Sequence, residues 1–182
     1  MFGDLHIHMI LDGVYYRAAI DAQKEHPLDG LIRARLSDYQ ARGVCLLRDG
    51  GDAWGVSLRA RELAGEYGID YRSPAFPIYR RGHYGAFIGR GFDTEDEYRA
   101  LLDEAGEKRA DFIKLMISGL IDFAHFGVLT EPGPEPQDIR RMIELAHAAG
   151  FAVMAHANGD RAVTAALQAG VDSIEHGAYL SE

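Results

Sequence analysis

The sequence predicts an α/β fold of the (β/α)8-barrel type, with about six strand-helix units present in the chain. Three observations lead there: short apolar, β-rich runs alternate with amphipathic stretches, the units close on glycine, and polar residues gather where strands end. The first two define parallel strands covered by helices, because continuous apolar strands need both faces buried and right-handed crossovers return each strand beside the last. They leave an open doubly wound sheet and a closed barrel equally available. The third chooses the barrel, whose strands converge on one mouth at their C-terminal ends.

Strands are predicted over residues 2–7, 44–47, 69–75, 111–116, 151–155 and 171–174. After the second, Val56, Ala60, Leu63, Ala64 and Tyr67 recur at helical spacing, as do Ile139, Met142, Ile143 and Ala146 later. Thr94 followed by Glu97 reads as a capping box ahead of Tyr98, Leu101 and Leu102. Pro136 suits a first helical turn, where its missing N–H is no loss. Gly43, Gly68, Gly150 and Gly170 each stand just before a strand, where a left-handed helix end favours a residue without Cβ.

Composition narrows the partners. The 182 residues fit a single domain spanning 1–182, and 19 basic against 28 acidic residues give a formal charge of −9. No basic run concentrates positive charge, which argues against nucleic acid and anionic membranes and for a small-molecule partner. Cys45 is the only cysteine, so no internal disulfide forms and a cytoplasmic location is expected. The start at Met1-Phe2-Gly3-Asp4 has no basic segment leading into an apolar one, and no apolar run approaches the roughly 20 residues of a membrane span. No Gly-x-Gly-x-x-Gly or phosphate loop follows the first strand, so a nucleotide site has no support.

The chemistry rests on the strand ends. In His6-Ile7-His8 two imidazoles two residues apart on a strand project to one side and reach a common ion. His156 and His176 repeat the strand-end placement, and imidazole suits zinc and its neighbours. Lys114 interrupts an otherwise buried strand, where an uncompensated ammonium is costly. It requires a partner or a modification, unless it snorkels to solvent. Asp49 ends the second strand; it either accepts a ring N–H from a ligand histidine or caps the next helix.

With these residues, His6-Ile7-His8, Lys114, His156 and His176, the chain resembles the amidohydrolase superfamily of metal-dependent (β/α)8 hydrolases. The stretches 43–51, 110–119 and 170–177 look most like its branch of imidazolonepropionase-like and Xaa-Pro dipeptidase-type enzymes. The resemblance implies two divalent metal ions, with zinc the favoured identity: His6 and His8 on the first, His156 and His176 on the second, and carboxylated Lys114 bridging both. Lys114, His156 and His176 are thereby the catalytic candidates. The implied reaction is hydrolysis of an amide, lactam or peptide-like C–N bond of a small or dipeptide-like substrate by metal-activated water. A mononuclear deaminase or imidazolone-type hydrolase using His6, His8 and His156 is the second reading, and a noncatalytic metal-binding module the third.

The family also carries an Asp at the end of an eighth strand, whereas this chain stops at Glu182, just past its sixth predicted strand. Six units in 182 residues fall short of the roughly 250 of a complete barrel. The expectation is a fragment of a larger enzyme, with completion by another copy or segment and a shortened gene product as competitors.

Three further residues are candidates for substrate binding: His83 and Tyr84, in the loop after the third strand, and His125, in the long loop after Lys114. Tyr79, Arg80 and Arg81 share the first of these loops and would suit an anionic or aromatic substrate, although a mobile charged loop is the plainer account. His147 belongs to a helix end, where a cation meets the negative pole of the dipole. His26 carries no ligand signal, and Cys45 is expected in the core.

Overall fold

The computed structural model describes residues 2–181. Met1 and Glu182, the two ends of the expected single domain, lie outside the described residues. The chain divides between Phe76 and Pro77 into two compact units.

In the first unit, β1 (Phe2–Ile7), β2 (Val44–Asp49) and β3 (Asp70–Arg72) form a parallel sheet in the order β1-β2-β3. Helices α1 (Tyr16–Asp21) and α2 (Asp29–Ala41) join β1 to β2, and α3 (Val56–Ala64) joins β2 to β3. The predicted stripe Val56, Ala60, Leu63 and Ala64 is buried, while Tyr67 falls beyond the helix in a 3-10 turn at Gly65–Tyr67. Gly43 ends α2 at φ 77, a left-handed conformation that only glycine adopts at little cost.

The second unit contains β4 (Pro77–Arg80), β5 (Arg90–Phe92), β6 (Ile113–Met116), β7 (Val153–Ala157) and β8 (Ser173–His176), all parallel in the order β5-β4-β6-β7-β8. Its helices are α4 (Glu95–Glu107), α5 (Pro136–Ala148) and α6 (Gly159–Gln168). Every residue of β6 and β7 is buried, as parallel strands in the middle of a sheet must be. α5 supplies Ile139, Met142, Ile143, Leu145 and Ala146 to that core, each large aliphatic contributing about 1.5–3 kcal/mol by leaving water. α6 adds Ala162, Val163, Ala165 and Ala166, small enough to let it pack against α5.

The alternation of parallel strands and helices is as the sequence predicts, and neither sheet closes on itself. Two strands are additional. The run expected over 69–75 is only Asp70–Arg72; Ser73-Pro74 breaks it, with Ala75 at φ 66, and extended chain resumes at Pro77. Tyr79 and Arg80 therefore belong to β4 rather than a loop, and proline is tolerated as the first residue of that strand. β5 is three residues around Gly91, too short for an alternating signal. Hydrophobic spacing does not single out α2 either, because its 13 residues bury only Ile32 and Leu36 and its start has no side-chain cap.

The expected cap of α4 is present in altered form. Thr94 Oγ1 accepts from Glu97 N–H at 3.2 Å, but the Glu97 carboxylate reaches past the cap to Asp93 N–H at 2.7 Å. Cys45 departs from expectation: it is half-buried, and its thiol donates to the Phe2 carbonyl at 3.6 Å. It lies on β2 where that strand pairs with β1, whose Phe2 and Leu5 are themselves exposed. Among the described residues, no helix is long and apolar enough to cross a membrane.

Candidate functional site

β1 carries His6 and ends at Ile7, so His8 follows one residue past the strand. The two rings lie 5.5 Å apart between centroids. His8 Nδ1 is 3.1 Å from the carbonyl oxygen of Gly51, in the turn after β2. A carbonyl only accepts, so Nδ1 carries the proton and Nε2 the lone pair. The ring lies so close over Gly50 that a Cβ there would stand 2.7 Å from Nε2.

Asp49, the last residue of β2, is fully buried. Its carboxylate accepts Met9 N–H at 3.0 Å, Gly51 N–H at 2.6 Å and the Tyr71 hydroxyl. Burial pushes its pKa up to about 7 against the pull of these three bonds, and the nearby Asp52 charge adds to the rise. Both roles expected of Asp49 go to neighbours. The His8 ring bonds to the Gly51 carbonyl, and the helix is capped by Asp52, which accepts from Trp54, Val56 and Ser57 N–H at 2.9, 3.0 and 2.7 Å. Asp52 was legible as an acid just ahead of the Val56 stripe; Tyr71 carried no signal beyond its place in β3.

In the second unit, Lys114 is fully buried on β6. The register sets Lys114 beside Met154, Met116 beside His156, and His156 beside Glu175. Alternate residues share a face, so Lys114, His156 and Glu175 lie on the same side of the sheet. Glu175, only 7% exposed, is missed in the sequence, because β8 (Ser-Ile-Glu-His) is largely polar and a carboxylate does not stand out there as Lys114 does in β6.

His156 Nε2 is 3.1 Å from the Gly119 carbonyl, which also accepts from Asn158 Nδ2 at 3.2 Å. Here Nε2 carries the proton and Nδ1 the lone pair. His176 pairs with Ala157, which would aim it at the opposite face, but its backbone turns left-handed at φ 73 where β8 ends. Its ring meets the His156 ring edge-on at 4.8 Å. Such a backbone costs a non-glycine residue about 1–2 kcal/mol, a form of strain that concentrates at functional positions.

Of the substrate candidates, Tyr84 sets its ring 5.0 Å from that of His156. His83 Nδ1 is 3.0 Å from Glu131 Oε2, and the same carboxylate accepts Tyr84 N–H at 3.0 Å and Gly133 N–H at 2.8 Å. Burial works to raise the Glu131 pKa, but these bonds outweigh it and hold the acid below its ordinary range. His125 lies apart from this cluster's hydrogen bonds; it is exposed and paired with Asp122 at 2.9 Å. His147, in the last turn of α5, bonds Asp172 at 2.9 Å, the structural role expected of it.

Each unit thus brings two imidazoles together, His6 with His8 and His156 with His176. Within neither unit, among the described residues, do three or more His, Cys, Asp or Glu side chains form a metal-holding group.

Residues 4–182 match the amidohydrolase family, and the chain belongs to it. Members of that family generally use divalent metal ions. Ochratoxinase from Aspergillus niger is 28% identical over 147 residues, covering 77% of this chain and 28% of the relative. Among solved structures, a Xaa-Pro dipeptidase with methionine in its active site has a TM-score of 0.69 at 20% identity, covering 96% of this chain and 47% of the other. A prolidase complexed with N-methylphosphonate-L-proline has a TM-score of 0.68 at 24% identity, covering 97% of this chain and 47% of the other. These structural likenesses show the fold, that of the (β/α)8-barrel hydrolases over about half of their length. The chain spans less than half the length of each of these relatives.

Proposed function

We propose that this chain provides the metal-binding part of a hydrolase that cleaves an amide, lactam or peptide-like C–N bond in a small or dipeptide-like molecule. The observation that carries the proposal is the hydrogen bonding of His8 and His156. Each gives one ring N–H to a backbone carbonyl, at 3.1 Å in both cases, which in the neutral imidazole puts the lone pair on the other nitrogen. Metal-ligating histidines are held in this way, with the non-ligating nitrogen bonded to a carbonyl or carboxylate. The donor set fits a divalent transition metal: His6 and His8 would hold one ion, His156 and His176 a second, and zinc is the favoured identity.

A divalent ion bound there lowers the pKa of water and polarises a carbonyl. The protein's own part begins at Lys114. The buried ammonium would first give up one proton; addition of carbon dioxide to the neutral Nζ then releases a second and leaves a carbamate anion, whose oxygens would be metal donors. Tyr84, with its ring against His156, and His83, anchored on Glu131, would meet the substrate. His125 is proposed as a third substrate contact, from the exposed loop. The names of the relatives, ochratoxinase and Xaa-Pro dipeptidase, support an amide or X-Pro bond as the target. A lone, half-buried Cys45 suits the reducing cytoplasm.

The test is amine release from a panel of N-acyl amino acids and X-Pro dipeptides by the zinc-loaded chain. Hydrolysis that disappears in His156→Ala supports the proposal. Turnover unchanged in His156→Ala, or turnover that persists with a chelator, refutes it.

A further inference from the structure

The turn Asp49-Gly50-Gly51 surrounds His8 on three sides. Gly50 N–H donates to the Ile7 carbonyl at 2.8 Å, which ties the turn to the residue before His8. Asp49 accepts Met9 N–H at 3.0 Å, which ties it to the residue after. Its other carboxylate oxygen accepts Gly51 N–H at 2.6 Å, and the Gly51 carbonyl faces His8 Nδ1 at 3.1 Å. The ring itself rests on Gly50, where any side chain would displace it.

We propose that Asp49 is a positioning residue for His8. It clamps the backbone on both sides so that the Gly51 carbonyl takes the Nδ1 proton and Nε2 is presented as the ligand nitrogen. Tyr71, whose hydroxyl donates to Asp49, fixes the carboxylate in turn. Direct contact with the ring is unnecessary, because a hydrogen-bonded backbone transmits the orientation. The functional consequence rests on the metal site proposed above; the positioning itself does not.

Nitrogen-15 NMR of histidine-labelled, metal-free chain reads the tautomer directly, with the His8 signals assigned by their loss in His8→Gln. Wild type should show a protonated Nδ1 and a pyridine-type Nε2 at His8. Asp49→Ala should add the opposite tautomer and weaken zinc binding by roughly 10–100-fold, the usual cost of losing an outer-shell partner. Should Asp49→Ala fail to fold, Asp49→Asn carries the test. Its carboxamide keeps the shape but only one accepting oxygen, so either Met9 or Gly51 N–H loses its partner and the tautomers mix. A folded Asp49→Asn with the wild-type His8 tautomer and zinc affinity overturns the proposal. Wild-type chain that binds no zinc while its His8 tautomer still responds to Asp49 supports the positioning role and refutes the metal reading alone.

Discussion

His156 and Gly119 are joined by a 3.1 Å contact from ring Nε2 to backbone carbonyl, and that contact decides which imidazole nitrogen keeps its lone pair at the end of β7. The ring is further bracketed by Tyr84 at 5.0 Å and His176 at 4.8 Å. Under the proposed function His156 is a metal ligand that these contacts hold in place. His156→Ala should therefore lower zinc affinity by more than the roughly 10–100-fold that attends loss of an outer-shell bond. Competition against a chromophoric chelator measures it, and an unchanged affinity would remove His156 from the ligand set.

Gly50→Ala tests how closely His8 is packed. The added methyl would stand 2.7 Å from His8 Nε2, so the ring must leave its present position. Overpacking of this kind costs about 1–3 kcal/mol, and the displaced ring should bind zinc more weakly. Chemical denaturation and zinc titration on the same sample read both effects. Unaltered zinc binding would show that the ring need not lie over Gly50.

Glu131→Gln carries a pH signature. The folded pKa of Glu131 lies below its ordinary value, so its contribution to stability is complete above about pH 5 and is lost as pH falls through the folded value. At pH 7 the substitution should cost roughly 1–3 kcal/mol, because Tyr84 N–H, Gly133 N–H and His83 lose a charged partner. Unfolding curves of the two chains should converge in acid. A gap that stays constant from pH 7 to pH 3 contradicts the ionised pairing.

Much of this was readable beforehand, for identifiable reasons. The strands carrying Lys114 and His156 are dense apolar runs in which a polar residue stands out, and the stripe of α5 follows helical spacing without interruption. β4 and β5 were not readable: a Ser-Pro break divides one from its apparent strand, and the other is three residues long. The role of Asp49 was hidden for a different reason. Its partners Met9 and Tyr71 are 40 and 22 residues away in the chain, and two of its three bonds go to backbone N–H groups that no residue type announces. Likewise, the left-handed turn of His176 is a backbone state unmarked by any glycine at that position.

Tyr98→Phe probes the core of the second unit. Tyr98 is only 1% exposed, and its hydroxyl donates to the Met142 carbonyl at 2.9 Å, linking α4 to α5. Removing that donor leaves the carbonyl short of a partner, at a cost of about 1 kcal/mol. Differential scanning calorimetry should show a lower melting temperature with zinc affinity intact; an unchanged melting temperature would mean the bond adds nothing net.

Zinc content after saturation and removal of excess metal, measured by plasma mass spectrometry beside circular dichroism, addresses the paired histidines most directly. The wild-type chain should retain two ions, and one should be lost in each of the double variants His6→Ala/His8→Ala and His156→Ala/His176→Ala while both remain folded. A folded wild-type chain that retains no zinc, or double variants that retain as much as wild type, would contradict the assignment of these four imidazoles as metal ligands.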